Sequence, residues 1–463
     1  MTEASEIRFP TEVIRDDYIP KEDYFSREFM QLEEERLWPK IWQIACRLEE
    51  IPNRGDFVTY DIVDDSIIVV RVDADTVKAY HNVCPHRGRR LAEGCGHSTQ
   101  FACRFHGWRF DLEGKNIRIV DPEDWGDRLA VGEVDLQSVR AETWGGAVWI
   151  NMDLDAEPLL DFLRPMRDYV DKFEFEKLRY RWYKTVIMQA NWKVVAEFFN
   201  EFYHVQQAHP QVLPFTNDYS KSGGFGRHGM MWFAAEGAVP LDRSPRLTPK
   251  EEPDYRKIVL NFVETYDRDL AAMVTPRNVE ATRRLMTEVA ADASPTEVLA
   301  KWAQFRVEAG EADGSGWPED LAPEYMEASG LDWHVFPNTI FLHGTVDGVL
   351  WYRVRPNGHD PESCIFDVWS LERYGEGKEP KLVREFYQDW RDTEWPKIYE
   401  QDFINIPEVQ KGMRSRAFSA ARPNPVQEQA IVNFHRHLRQ FMGQGDIHDD
   451  GSRQPTDCAQ AAE

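Results

Sequence analysis

The chain has 463 residues, 42% of them hydrophobic, and its 80 acidic and 55 basic side chains give a formal net charge of −25. This length and apolar content suit two or three packed domains, and such an acidic chain argues against nucleic acid or an anionic membrane as a partner. Sparse cysteines, an acidic N-terminus without an apolar signal core and no run of about 18 apolar residues predict a cytoplasmic protein that does not enter a membrane.

The first part of the chain predicts a helical segment followed by a small β domain. Apolar residues recur at helical spacing over Tyr24–Trp38, and Pro39 should end that helix. From Gly55 the pattern changes to short β-branched runs separated by Asp-rich turns. We therefore expect an N-terminal helical segment over residues 1–40 and an all-β domain over 41–155. The predicted strands are 57–60, 66–72, 76–82 and 146–151.

Two turns of the predicted β domain carry cysteine and histidine together. Cys84 and His86, then Cys103 and His106, follow the pattern C-x-H-x16-C-x2-H. Two thiolates and two imidazoles in this order fit a Rieske [2Fe–2S] centre, in which two histidines replace two cysteines on one iron and raise the reduction potential. A zinc ribbon is one alternative, but zinc sites more often use C-x2-C spacing. Unrelated core cysteines and surface histidines are the other.

The remainder of the chain mixes predicted helices and strands. Residues 236–330 are polar and rich in Ala and Glu, and the chain from Gly443 is polar and rich in Gly, Asp and Gln, which predicts a disordered tail over 443–463. Helices are predicted over 191–207, 255–273, 278–291 and 380–395, and from there to Met413, and the segment 434–441 closes the globular part. Strands are predicted over 180–187, 335–343, 349–354 and 364–371.

A second candidate metal site lies in the helix predicted after residue 191. His204 and His209 are five residues apart, which turns them about 140° from each other on a regular helix. Pro210 offers a way for both to face one metal, because the residue before proline is pushed out of the α region. With a carboxylate they would complete a facial triad for non-haem iron(II). Paired histidines in a helix are more often solvated or bonded to the backbone, so the spacing alone leaves both interpretations open.

These motifs together resemble the α subunit of the Rieske non-haem iron oxygenases of the aromatic-ring-hydroxylating type. The resemblance covers nearly the whole globular chain. It rests on the two cysteine–histidine turns, the Asn191-Trp-Lys opening, the stretch Glu201-x-Tyr-His204-x4-His209, and the segment from Glu400 to Gly412 that contains Asp402. It implies that the quartet holds the [2Fe–2S] cluster and that His204, His209 and Asp402 hold the iron.

The resemblance also assigns roles around the iron. Glu201 lies three residues before His204, on the same side of the helix, where it could orient that ligand or be an ordinary solvated acid. In the family this position bridges the iron site to a Rieske histidine of the neighbouring subunit. The expected substrate-pocket residues, for which ordinary core packing is the alternative, are Phe198, Phe199, Asn200, Phe202 and Val205.

The implied architecture is α+β. An all-β Rieske domain precedes a helix-grip (START-like) catalytic domain with a curved antiparallel sheet over residues 156–442, and the N-terminal segment packs on the catalytic domain. The family also implies a homotrimer, or an α3β3 assembly if a small subunit exists.

The implied function is that of a terminal oxygenase. Electrons would come from a separate ferredoxin, flavin reductase or both, since the chain has no G-x-G-x-x-G nicotinamide fingerprint. The expected reaction is hydroxylation of an aromatic or related cyclic substrate by O2, as in aromatic hydrocarbon catabolism, with the 236–330 segment covering the substrate entrance. Oxidative O- or N-dealkylation is the alternative, and a non-catalytic electron carrier is a further one.

Overall fold

The computed structural model describes residues 19–130, 132–233, 241–248 and 254–445. Its N-terminal segment is helical, as predicted for Tyr24–Trp38, but is divided at Ser26. The Ser26 backbone is extended, and its hydroxyl accepts a hydrogen bond from the N–H of Phe29, so it caps the second helix. The elements are β1 (Ile19–Pro20), α1 (Glu22–Phe25), α2 (Arg27–Leu32), a π-helical turn (Glu33–Leu37) and a 3₁₀ turn (Trp38–Lys40).

This segment is fixed by polar contacts to residues much later in the chain. The hydroxyl of Tyr24 donates to Glu197 Oε2 at 3.0 Å, and the indole N–H of Trp192 donates to Glu33 Oε2 at 3.1 Å. Strand β1 also pairs antiparallel with Ala420–Ala421. Buried polar groups are normally satisfied in this way, so the segment is bound to the helix-and-sheet unit described below.

The first unit is all-β. A seven-stranded antiparallel sheet has the order β2-β11-β10-β5-β4-β3-β6, and β7, β8 and β9 form a separate three-stranded sheet. Its strands are β2 (Gln43–Arg47), β3 (Asp56–Ile62), β4 (Asp65–Arg71), β5 (Val77–His81), β6 (Cys95–His97), β7 (Phe101–Ala102), β8 (Arg109–Phe110), β9 (Asn116–Arg118), β10 (Ser138–Trp144) and β11 (Ala147–Asn151). Its 3₁₀ turns are Leu48–Glu50 and Pro122–Arg128. The four strands predicted here are confirmed.

Strand β4 is buried on both faces. Ile67 and Val69 belong to a large core shared with the second unit, whereas Ile68 and Val70 face a smaller core that contains Cys84. Side chains alternate across a strand, so a strand covered on both sides appears in the sequence as a continuous apolar run. The smaller core is the one that surrounds the cysteines of the two cysteine–histidine turns.

The second unit is an eight-stranded sheet with helices around it, in the order β13-β14-β15-β16-β17-β18-β12-β19. All neighbours are antiparallel except β12 and β19. The strands are β12 (Leu178–Met188), β13 (Ser220–Phe225), β14 (His228–Phe233), β15 (Asp332–Val335), β16 (Thr339–Leu342), β17 (Gly348–Asn357), β18 (Asp360–Arg373) and β19 (Arg384–Tyr387). Strand β20 (Ala420–Ala421) lies outside this sheet and pairs with β1. The predicted α+β class is confirmed.

The helices of the second unit form before, between and after these strands. They are α3 (Leu159–Phe162), α4 (Met166–Val170), α5 (Trp192–Phe198), α6 (Val205–Ala208), α7 (Tyr255–Asp269), α8 (Pro276–Arg283), α9 (Leu285–Glu288), α10 (Pro295–Asp313), α11 (Pro323–Ala328), α12 (Lys397–Met413) and α13 (Gln429–Phe441). The 3₁₀ turns are Asp171–Phe173, Phe175–Lys177 and Trp390–Asp392. In the described residues no helix is both long and apolar enough to cross a bilayer.

Three of these helices cover the sheet where the candidate site lies. Helix α5 packs on β17 and β18 and against α12, and α13 packs on β13 and β14. Asn191 joins the first two helices, because its side chain caps α5 by accepting from the N–H of Lys193 while its own N–H donates to Gln410 Oε1 of α12 at 2.9 Å. This hydrogen bond links the start of α5 to α12, which also packs against it.

The helix predicted over residues 380–395 is wrong. Residues 384–387 form β19 instead, which pairs in parallel with residues 183–186 of β12, and only a 3₁₀ turn follows before α12. The open edge of β12 provides backbone partners that a short amphipathic pattern does not reveal. Strand pairing therefore overrides local helical preference here.

Other predictions are correct in type but not in extent. The strand predicted over 335–343 is a hairpin, because β15 ends at Val335 and the chain turns through Phe336-Pro337 before β16. The helix predicted over 191–207 is interrupted between α5 and α6. Strands β13 and β14 and helices α10 and α13 were not predicted. Residues 1–18 of the predicted N-terminal segment and 446–463 of the predicted tail lie outside the described residues.

Candidate active site

The two cysteine–histidine turns have the same backbone arrangement. The N–H of Gly88 donates to the carbonyl of Cys84 at 2.9 Å, and the N–H of Gly107 donates to the carbonyl of Cys103 at 3.0 Å. Both glycines have positive φ, 74° and 75°, a region that residues with a Cβ rarely adopt. Glycine therefore allows each loop to close. Each closed loop contributes one cysteine and one histidine to the space between the two loops.

The quartet predicted from spacing comes together between these loops. Cys84 and Cys103 are buried and free of disulfides. The rings of His86 and His106 have centroids 4.5 Å apart, and His86 stacks on Trp108 at 4.9 Å. Nδ1 of each histidine is buried without a hydrogen-bond partner. Such orphaned atoms are rare, and two thiols with two free imidazole nitrogens are the ligand set of a Rieske cluster.

A second set of ligands converges where α6 meets α12. Nε2 of His209 lies 3.0 Å from Asp402 Oδ1 and 3.3 Å from Nε2 of His204, and the latter atom is 3.5 Å from Asp402 Oδ1. Helix α6 ends at Ala208, and His209 has φ −123° and ψ 53°, outside the α region, as expected before Pro210. One metal ion could therefore contact all three residues.

Both imidazoles are oriented through their other nitrogen. Nδ1 of His204 lies 2.5 Å from Glu201 Oε1, and Glu201 Oε2 accepts from the His204 backbone N–H at 3.0 Å. Nδ1 of His209 lies 2.8 Å from Gln401 Oε1. Oxygen acceptors at Nδ1 direct Nε2 toward a metal and increase its basicity. The sequence suggested Glu201 for this role but not Gln401, whose only signal was its place beside Asp402.

The electrostatics of the triad favour a bound cation. Burial lowers the pKa of His204, but the carboxylates of Glu201 and Asp402 outweigh it and raise the pKa to about 9. Asp402 Oδ1 is buried and accepts no hydrogen bond. The residues thus concentrate negative charge at one point, and a divalent metal ion supplies the positive charge that this arrangement attracts.

The triad lies in the wall of a cavity that is otherwise mainly apolar. The wall is built by α5, the chain between α5 and α6, helix α7 and strands β14 to β17. The lining residues are Phe198, Phe199, Glu201, Phe202, His204, Val205, His209, Val212, Met231, Phe262, Tyr266, Leu270, Met273, Leu331, Asp332, Leu342, Gly344, Thr345, Tyr352, Ile398 and Asp402.

The structure places four of the five expected pocket residues in this wall. Asn200 is the exception, because it follows the end of α5 and turns into a separate small cavity beside His334 and Phe434. Helix α7 belongs to the 236–330 segment and contributes part of the wall. Most of the remaining lining residues had no sequence signal, since an apolar residue that lines a cavity looks like one that fills a core.

Comparison with known families agrees with this geometry. Residues 174–444 match the family described as the ring hydroxylating alpha subunit (catalytic domain), and residues 41–126 match the Rieske [2Fe-2S] domain. The first match covers more than half of the chain, so the chain belongs to the α subunits of the Rieske-type ring-hydroxylating oxygenases. The predicted cofactors of this family, a Rieske cluster and mononuclear iron, and the predicted two-part fold are thereby confirmed.

Individual relatives differ in the reactions for which they are named. The chain is 31% identical over 205 residues to the glycine betaine monooxygenase oxygenase subunit of Chromohalobacter salexigens, covering 44% of this chain and 46% of that protein. It is 27% identical over 289 residues to the anthranilate 1,2-dioxygenase large subunit of Acinetobacter baylyi, covering 56% and 61%. The matches therefore span less than two thirds of either relative.

A solved structure extends the likeness in fold over almost the whole chain. The structure of a quaternary ammonium Rieske monooxygenase in complex with L-carnitine superposes with a TM-score of 0.62, covering 92% of this chain and 96% of that chain. The sequence identity is 18%. At this level the match shows a shared architecture.

Proposed function

We propose that this chain is the terminal oxygenase component of a Rieske oxygenase and that His204, His209 and Asp402 hold its catalytic iron. The observation that carries the proposal is the convergence of these three ligand atoms in the wall of an apolar cavity. Two histidines and one carboxylate are the ligands of non-haem iron(II) oxygenases. Iron bound there would supply the activation of O2, which side chains cannot provide.

The chain's own residues would position the reaction. Glu201 and Gln401 hold the two imidazoles in place through Nδ1, and the apolar wall excludes water from the substrate. Cys84, His86, Cys103 and His106 would hold the cluster. Glu201 is also our candidate for the contact with a Rieske histidine of a neighbouring subunit, which requires a homotrimer or α3β3 assembly. The electron donor would be a separate ferredoxin or flavin reductase.

We favour oxidative N-dealkylation as the reaction, which was the alternative at the level of sequence. Its support is the likeness to the glycine betaine monooxygenase subunit, whose name gives an N-methylated compound as the substrate. With two electrons and two protons, one oxygen atom of O2 would enter the C–H bond beside nitrogen and the other would leave as water. The resulting carbinolamine would break its C–N bond to release an aldehyde and the amine.

Aromatic ring hydroxylation is the second candidate. It is favoured by the aromatic side chains of the cavity wall, among them Phe199, Phe202 and Phe262, and by the likeness to the anthranilate dioxygenase subunit. Flat rings pack well against such surfaces. The two candidates differ in product, since dealkylation releases an aldehyde and ring attack adds oxygen to the substrate.

Product analysis with labelled oxygen distinguishes them. The iron-loaded protein with a ferredoxin and reductase would be supplied with ¹⁸O₂ and either N-methylated amines or aromatic acids. We expect formaldehyde from an N-methyl substrate, in an amount equal to the demethylated amine. A labelled ring hydroxyl or diol without formaldehyde would replace the first candidate by the second. Reduction of the cluster without any product or oxygen uptake would contradict both and favour an electron carrier.

A further inference from the structure

The cavity contains one carboxylate that the metal site does not use. Asp332 lies at the start of β15, is completely buried and lines the same cavity as His204, His209 and Asp402. Its Oδ1 accepts a hydrogen bond from the N–H of Met231 at 3.1 Å. Its Oδ2 is buried and has no hydrogen-bond partner.

A carboxylate in this position is unfavourable unless something in the cavity pairs with it. Burial raises the pKa of Asp332 to about 8, against the lowering effect of the Met231 N–H. An unpaired buried charge or an unsatisfied polar atom is destabilising. Apolar side chains would form the same strand without that penalty, so the free Oδ2 is a feature that a ligand could explain.

The charge balance of the cavity indicates the sign of that ligand. Three carboxylates line it, those of Glu201, Asp332 and Asp402, and no Lys or Arg does so within the described part of the chain. Iron(II) would balance two of these negative charges. With all three ionised, one negative charge remains, and a desolvated site with that surplus favours a cation over an anion.

The apolar part of the wall suits the same kind of ligand. Phe202, Phe262, Tyr266 and Tyr352 are among the lining residues, and the faces of aromatic rings attract organic cations. An alkylated ammonium ion is apolar on its outside and positively charged, so it can satisfy both aromatic rings and a carboxylate. A primary or tertiary ammonium could in addition donate an N–H to Oδ2.

We propose that Asp332 is a specificity-determining residue that recognises a positively charged substrate, an organic ammonium ion. The inference rests on the proposed function in that the cation is taken to be the N-alkyl compound that is oxidised. Asp332 would recognise charge and leave the chemistry to the iron site.

Binding of two matched probes tests the inference without turnover. Choline and its neutral isostere 3,3-dimethylbutan-1-ol have nearly the same shape and differ in charge. Calorimetric titration of the iron-loaded protein under argon should show choline binding at least about tenfold more tightly. In Asp332→Asn we expect that preference to fall to about twofold or less, because the amide keeps the shape and removes the charge.

Asp269→Asn is the matched control. Asp269 is also a buried carboxylate, but it pairs with Arg268 and does not line the cavity. This variant should keep the preference for choline. Equal affinity of the wild-type protein for the two probes would overturn the inference even if Asp332→Asn failed to fold, and so would an unchanged preference in a folded Asp332→Asn protein.

The inference and the proposed function can fail separately. A choline preference that depends on Asp332, with no aldehyde from any N-methyl amine, would overturn N-dealkylation and leave the cation site standing. Aldehyde release with no preference for the charged probe would overturn the cation site alone.

Discussion

The two proposed metal sites of this chain are built in opposite ways. All four proposed cluster ligands lie within residues 84–106, on two loops closed by their own backbone hydrogen bonds. The proposed iron ligands are His204 and His209, which flank α6, and Asp402 of α12; they are distant in the chain and meet only through packing of the second unit. A site made by local loops can be recognised from spacing, whereas a site made by packing depends on contacts that spacing does not record.

The largest expected effect comes from removing one ligand of each site in turn. His209→Ala should lower turnover roughly a thousandfold, since a bound metal contributes several kcal/mol to catalysis. The visible absorption of the cluster should remain, and the iron content should fall from about three to about two per chain. Iron analysis, absorption spectroscopy and single-turnover assays measure these three quantities.

The converse variant removes a proposed ligand of the cluster and leaves the iron site intact. His106→Ala should abolish the cluster spectrum, while a single iron remains bound at the second site. If His209→Ala also destroyed the cluster, or if it kept normal turnover, the two sites would not be the independent structures described above.

The same contrast explains what the sequence could predict. The cluster quartet follows from spacing alone, and Pro210 accounts for how His204 and His209 reach one point. Asp402 was identified only through the family resemblance, because nothing in its neighbourhood distinguishes it from other acids. Gln401 and Asp332 were missed, since the contacts on which their proposed roles rest appear only when α6, α12 and β15 are brought together.

The fold shows the same limit. Strands with continuous or alternating apolar residues, such as β4 and β17, were found from their pattern. The helix predicted over 380–395 was wrong because β19 exists only as the partner of β12. The prediction succeeded where structure is local and failed where an element depends on a distant neighbour.

A smaller effect is expected from loosening the packed site without removing a ligand. Gln401→Leu removes the acceptor at Nδ1 of His209, and loss of such a partner typically weakens metal binding about 10- to 100-fold. Iron affinity measured with a competing chelator should fall by that factor. The cluster spectrum and the fold should be unchanged.

Glu408→Gln is the control for Gln401→Leu. Glu408 is exposed on the same helix and pairs with Lys411, so iron affinity should not change. An equal loss in both variants would mean that α12 as a whole had been disturbed, and no loss in Gln401→Leu would show that the hydrogen bond does not support the ligand.

The smallest expected effect comes from a substitution in one of the two cluster loops. An alanine Cβ at Gly107 would meet only Val120 Cγ2, at an ordinary 3.5 Å, so the substitution tests the positive φ of 75° and little else. Gly94 has φ 68° with nothing within 4 Å and lies outside the cluster loops. Both alanine variants should lower the free energy of unfolding by about 1 kcal/mol, measured by denaturant titration.

Only the Gly107→Ala variant should also lose its cluster faster, because only there does the strain act on the hydrogen bond that closes the Cys103 loop. Bleaching of the visible absorption under chelator separates the two variants at equal global stability. Equal bleaching rates would mean that the cluster is held by the core of the unit and not by the closed loops. In that case the cluster site, like the iron site, would depend on packing. The C-x-H-x16-C-x2-H spacing would then identify the ligands but not the interactions that hold the cluster in place.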